Sequence, residues 1–135
     1  MRDRKGLPFA CLMALAANTA TGTMSVHAQM PLPTSAKPTG ADLFEQQCAT
    51  CHSLNPSDPP RQGPHLAGIF GRKPGSVAGF HYSPGYGAAD FVWDEAHLDP
   101  YLTDPQAVIP GAIMLYEQKN VDVRKAIIAF LKEQR

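Results

Sequence analysis

The sequence predicts an all-α protein: roughly three to five short helices joined by long glycine- and proline-rich loops that close around something other than their own side chains. Three observations carry this. Helical periodicity recurs near the start, in the region 93–104 and at the end of the chain. Between the first two of these, seven glycines and six prolines interrupt every strand or helix pattern. A compact C-x-x-C-H cluster, CATCH at 48–52, closes the first periodic segment.

The elements follow in order. Residues 1–28 read as an export leader: Arg2, Arg4 and Lys5 precede the apolar run LPFACLMALAA, and VHAQ offers the small residues Val26 and Ala28 for cleavage before Gln29. That run is too short for a membrane span, which needs about 20 residues. A mitochondrial transit peptide fits less well, because Asp3 breaks its acid-poor pattern and the middle is apolar rather than amphipathic. Removing the leader takes Cys11 with it, so Cys48 and Cys51 become the only thiols. It also takes three basic residues and one acidic from the twelve of each, leaving nine and eleven. A balance that close to neutral gives no pull toward nucleic acid.

Residues 29–38, QMPLPTSAKP, form a Pro-rich tail expected to be flexible, and 39–135 form the domain. Thr39 and Asp42 make a capping-box helix start. Ala41, Phe44, Cys48 and Cys51 recur at helical spacing and place both thiols on one face at a helix end. In the second helix Leu98, Tyr101 and Leu102 share a face, and Pro100 is expected to divide or kink it, with Asp99 capping the second piece. Asn120 or Asp122 caps the last helix, whose apolar stripe is Val123, Ile127, Phe130 and Leu131.

The loop between the first and second helices lacks residues for a core of its own, which a domain of this size does not normally tolerate. A large planar apolar ligand would supply the missing core, and glycines let backbone approach it closely. CATCH names a candidate. C-x-x-C-H is the attachment signature of c-type haem: two thiols about one helical turn apart reach both porphyrin vinyl groups, and the next residue, His52, lies over the iron. A zinc site wants a second C-x-x-C or H-x-x-x-H pair, and His65, His81 and His97 lack that spacing. A thioredoxin-type redox pair wants a βαβ setting, which the glycine and proline distribution denies.

An electron-carrying haem fills its sixth position, and a thioether there favours the reduced iron. With Met1, Met13 and Met24 in the leader and Met30 in the tail, Met114 in IPGAIMLY is the well-placed candidate, set just after the stiff Pro110–Gly111 turn. His65, His81 and His97 remain rivals for that position.

With these residues in view the chain resembles the class I soluble monohaem cytochromes c of the cytochrome c2-like and mitochondrial-like kind. The likeness runs from Gly40 to Leu131. It is carried by G-x-x-x-F at Gly40 and Phe44, CATCH, GPHLAG at 63–68, GRKPG at 71–75, GFHYS at 79–83, Trp93, the L-x-x-YL of Leu98, Tyr101 and Leu102, and PGAIM at 110–114. The resemblance implies the cytochrome c fold, one covalent haem c with its iron held by His52 and Met114, and one-electron transport rather than enzymatic turnover. It implies that the Pro64 carbonyl holds the free nitrogen of His52. By the same resemblance Arg72, Tyr82 and Trp93 surround the haem propionates, Tyr101 lies near the methionine sulfur, and Gly40 and Phe44 cross the last helix near Ile127 and Phe130.

Implied too is a monomeric periplasmic carrier in a respiratory chain, without a transmembrane segment in the mature chain. It would shuttle electrons between redox proteins: a membrane respiratory complex or dehydrogenase on one side, a terminal oxidase or reductase on the other. A dedicated cytochrome subunit of a dehydrogenase or oxidase complex is one alternative role. A haem protein that reacts with a gas or peroxide through a labile Met114 is another. The chain departs from the family pattern in having Ala112 where a threonine is usual and Tyr86 where an asparagine is usual. Gln106, Ala107 and Ile113 stand at positions that are often lysine, so the usual lysine-rich docking face is weak.

Overall fold

The computed structural model describes residues 36–59 and 61–134. The expected leader, the residues 29–35 of the tail, and with them Cys11 and Met30, lie outside the described residues. Among the described residues the fold is α-helical without strands: α1 (Gly40–Gln47), a short 3₁₀ helix (Pro84–Ala88), α2 (Glu95–Thr103), α3 (Pro105–Val108) and α4 (Val121–Glu133). None of these helices is long and apolar enough to cross a membrane.

Each helix starts where a side chain satisfies its open N–H groups. Thr39 caps α1 in a full capping box, with its hydroxyl accepting from the Asp42 amide and the Asp42 carboxylate accepting from the Thr39 amide at 2.8 Å. Asp94 caps α2, Asp104 caps α3 and Asn120 caps α4. The last choice had been open between Asn120 and Asp122, and Asn120 takes it because its carbonyl oxygen accepts from the amides of Asp122 and Val123.

Four expectations are corrected. Pro100 does not divide the second helix, which runs through it from Glu95 to Thr103. One missing amide is tolerated there because the Asp94 cap and the buried side chains of Leu98, Tyr101 and Leu102 hold both flanks. Asp99 is therefore not a cap; its carboxylate accepts from Arg124 of α4 at 2.7 Å. Cys51 does not continue the first helix, since α1 ends at Gln47 and Cys51 lies in the turn that follows. The loop expected to hold no helix contains the single 3₁₀ turn.

Packing begins where α1 crosses α4. A Cβ on Gly40 would lie 2.3 Å from the Ala126 carbonyl oxygen and 2.7 Å from the Phe130 Cβ, so only glycine permits this approach. Phe44 meets Phe130 with ring centroids 5.5 Å apart, and Ile127 beside them is fully buried. Ile128 joins the buried stripe of α4 alongside Ile127 and Leu131, while Val123 and Phe130 are half-buried. Arg124 is buried as well. It gives hydrogen bonds to Asp99 of α2 and to the carbonyls of Gln118 and Lys119, so its charge is paired and its donors are satisfied. The long loop is pinned at its edges by backbone bonds, Gly68 to Gln134 at 2.7 Å and Trp93 to Arg72 at 2.9 Å.

Replacing Gly40 by alanine improves intrinsic helix propensity by at most about 1 kcal/mol, whereas the added methyl would strike a backbone carbonyl that cannot rotate away. The expected net effect is a loss of roughly 1–3 kcal/mol, read as a lower urea midpoint for the folded protein with an unchanged denaturant slope. A midpoint equal to the wild type would show that the two helices can separate freely.

Candidate functional site

The turn after α1 aims three chemically useful side chains one way. Backbone bonds from Cys51 and His52 to the Cys48 carbonyl, 3.1 and 2.9 Å, coil 48–52 so that Cys48, Cys51 and His52 all line one cavity of about 610 Å³. Pockets that enclose organic ligands fall within about 300–1,000 Å³. Leu66, Ile69, Trp93, Leu98, Leu102 and Leu131 complete much of its apolar wall.

His52 is held as a ligand would need to be. Its Nδ1 donates to the Pro64 carbonyl at 2.7 Å, which leaves Nε2 with the lone pair. Burial lowers its pKa against the smaller opposing pull of that bond, so the ring stays neutral at neutral pH. Gly63 lies flat on the imidazole: a Cβ there would fall 2.2 Å from Cε1. Both cysteines are unbridged, and burial, with Cys51 adding, pushes the Cys48 thiol up to about 11. A thiol that burial keeps protonated is a poor nucleophile, which does not suit a redox pair. Among the described residues no three His, Cys, Asp or Glu side chains gather as a metal cage.

Met114 lines the same cavity on an irregular segment latched at both ends. Before it, Gly111 turns with φ of +84°, and the Gln106 amide reaches across the turn, accepting from the Gly111 amide at 3.1 Å and donating to the Ala112 carbonyl. After it, the Tyr116 hydroxyl donates to the Gln47 side chain at 2.6 Å, and Gln118 donates to the same oxygen at 2.9 Å. The buried Tyr101 points its hydroxyl at the Met114 sulfur across 3.6 Å. Burial, reinforced by Tyr86 beside it, pushes the Tyr101 phenol far above its usual range, and burial raises Tyr86 as well.

The remaining expected residues also gather here. Arg72 and Tyr82 line the cavity with Trp93. The guanidinium of Arg72 donates to the carbonyls of Ala67 and His65, each at 2.8 Å, and so braces the loop from within. Of the rival histidines, His81 lines the cavity but is exposed. His65 faces a separate space of about 140 Å³. His97 donates through Nδ1 to the Asp94 carboxylate at 2.7 Å and stacks on Phe91 with centroids 4.3 Å apart. Sequence reasoning passed over Ser83, Gln47 and the role of Gln106. Ser83 lines the cavity, and its buried hydroxyl has no partner among the described residues. Buried hydroxyls are almost always paired. An apolar cavity with one such orphan at its wall, two unbridged thiols, a neutral imidazole and a thioether fits a haem with polar carboxylate edges.

Residues 38–135 match the family described as "Cytochrome c". The chain is 42% identical over 96 residues to the "Cytochrome c2" of Rhodomicrobium vannielii, covering 70% of this chain and 76% of that one. It is 41% identical over 95 residues to the "Cytochrome c" of Theileria annulata, with 70% and 82% covered. To the "Cytochrome c" of Arabidopsis thaliana it is 40% identical over 96 residues, with 70% and 86% covered.

The contact of Gly63 with His52 leaves no room for a methyl group. Gly63→Ala is expected to push the imidazole off the Pro64 carbonyl, abolish the slowly exchanging Nδ1 proton in the NMR spectrum, and cost roughly 1–3 kcal/mol in urea denaturation. Retention of that proton signal at its wild-type position would contradict the packing described.

Proposed function

The chain belongs to the cytochrome c family, a one-electron carrier with a covalent c-type haem and no enzymatic turnover, and we propose how its own residues serve that task. Cys48 and Cys51 form the two thioethers, each S–H adding across a vinyl double bond. His52 and Met114 are the iron ligands, with Pro64 fixing the first and Tyr101 touching the second. Arg72, Tyr82 and Trp93, joined by Ser83, surround the propionates.

One observation carries this reading: the local cluster Cys48, Cys51 and His52 meets Met114, more than sixty residues further along the chain, at one apolar cavity, and a polar partner already orients each of the two proposed ligands. The haem supplies a single-electron couple at its iron. His52 keeps one nitrogen unprotonated for the metal because the other is committed to a carbonyl. Met114 offers a soft thioether that favours the ferrous state. The buried Leu98, Leu102 and Leu131 exclude water, so little solvent has to rearrange when charge changes.

Residues 1–28 are a cleaved leader and the carrier works in the periplasm, which the composition of the leader supports and which a mature start at Gln29 would demonstrate. Residues 29–38 are a tail and 39–135 the working domain. The protein acts as a monomer in a respiratory chain, between a membrane complex or dehydrogenase and a terminal oxidase or reductase. Ile113 and Leu115 support docking by apolar contact at this edge: they flank Met114 and are 69% and 84% exposed.

Met114→Ala is expected to remove the weak long-wavelength iron–sulfur band, lower the potential and open the iron to small ligands. An unchanged spectrum would assign the sixth position to another side chain, His81 being the histidine that shares the cavity. The intact mass of exported protein should correspond to 29–135 plus one haem, and a mass that includes 1–28 would refute the cleaved leader.

A further inference from the structure

The cavity wall around Met114 holds a tyrosine pair. The Tyr86 and Tyr101 oxygens are 2.5 Å apart, and the Tyr101 oxygen is 3.6 Å from the Met114 sulfur. Position 112, next to this group, is a buried alanine and supplies no hydroxyl. Tyr86 reaches the site because its 3₁₀ helix lies directly on the methionine segment. A Cβ on Gly85 would lie 2.1 Å from the Pro110 carbonyl oxygen, and one on Gly75 would lie 3.3 Å from the Tyr86 Cβ.

We propose that Tyr86 is a positioning residue that donates its hydroxyl proton to Tyr101 and thereby aims the Tyr101 proton at the Met114 sulfur. Proton counting assigns the direction. Tyr101 has one proton and two neighbours that could accept it, Tyr86 and Met114. If it donates to Tyr86, the sulfur receives nothing and the Tyr86 proton has no acceptor among the described residues. If Tyr86 donates, both protons are used, two hydrogen bonds instead of one. Donation into the Tyr101 oxygen also polarises its O–H and strengthens the bond to sulfur.

That bond draws electron density from the thioether. The inference rests on Met114 being an iron ligand: the ferric state, with the greater positive charge, depends more on sulfur donation than the ferrous state does. A relay that withdraws density therefore raises the potential. Tyr86 acts only through Tyr101, so its influence must vanish when Tyr101 has no hydroxyl.

The test is a cycle of Tyr86→Phe, Tyr101→Phe and the double variant of the holoprotein, read by equilibrium redox titration and by the long-wavelength iron–sulfur band. Phenylalanine keeps each ring and removes only the hydroxyl. At a fixed applied potential Tyr101→Phe should lower the ferrous-to-ferric ratio roughly fivefold, the effect of losing about one hydrogen bond, and Tyr86→Phe roughly twofold in the same direction. The double variant should match Tyr101→Phe in both titration and band position. A Tyr86→Phe effect that persists undiminished in the Tyr101→Phe background would overturn the relay, as would no effect in the wild-type background. Absence of the sulfur band from the wild-type protein would instead overturn the ligand assignment, and this inference with it.

Discussion

An apolar space of about 610 Å³ lies where a domain of this size would ordinarily keep its core, and the rest of the structure is arranged around the need to fill it. The side chains that remain, chiefly Leu43, Phe44, Ile127, Ile128 and Leu131, form a seam where α1 and α4 meet rather than a centre. The loop from 53 to 92 has no second layer to pack on. It can stay ordered only if what it faces supplies dispersion contacts that its own residues lack. Gly63 then makes physical sense as the place where backbone meets the His52 ring, which a Cβ would displace.

A second constraint is polar. Each proposed ligand, and the segment that carries Met114, is held by a polar partner from a distant element. His52 is held by Pro64 in the loop, Met114 by Tyr101 of α2, and the methionine segment by Gln106 of α3 and Gln47 of α1. Because every α-helix supplies a brace or packs on one that does, a change at either proposed ligand is resisted by the whole frame. For a carrier that resistance is useful: electron transfer is fast when neither ligand has to move between oxidation states. The buried pair of Arg124 and Asp99 belongs to the same frame, tying α4 to the helix that carries Tyr101.

Much of this was legible in the residues. CATCH, the Pro110–Gly111 turn before Met114 and the capping box at Thr39 each depend on local chemistry within five residues, and local chemistry is what sequence pattern reports. What escaped depends on contacts across the chain. Pro100 looked like a break because its lost amide is visible in sequence, while the packing of Leu98, Tyr101 and Leu102 that outweighs the loss is not. Asp99 looked like a cap because caps are local, whereas its partner Arg124 is 25 residues away. Ser83 is ordinary in sequence. It stands out only when its hydroxyl is found buried without a partner.

The two departures from the family pattern near the sulfur, Ala112 and Tyr86, looked in sequence like two separate losses. In space they are one exchange. A hydroxyl is missing at 112, and a longer side chain at 86 brings a phenol to the neighbouring hydroxyl of Tyr101. The exchange works only because Gly85 lets the 3₁₀ helix sit against Pro110, on the very turn that delivers Met114. A bulkier residue at 85 would lift the helix, and the Tyr86 oxygen would leave hydrogen-bond range, since such a bond weakens steeply beyond its normal length. The glycine before Tyr86 is thus part of the polar arrangement around the sulfur, although it carries no polar side chain of its own.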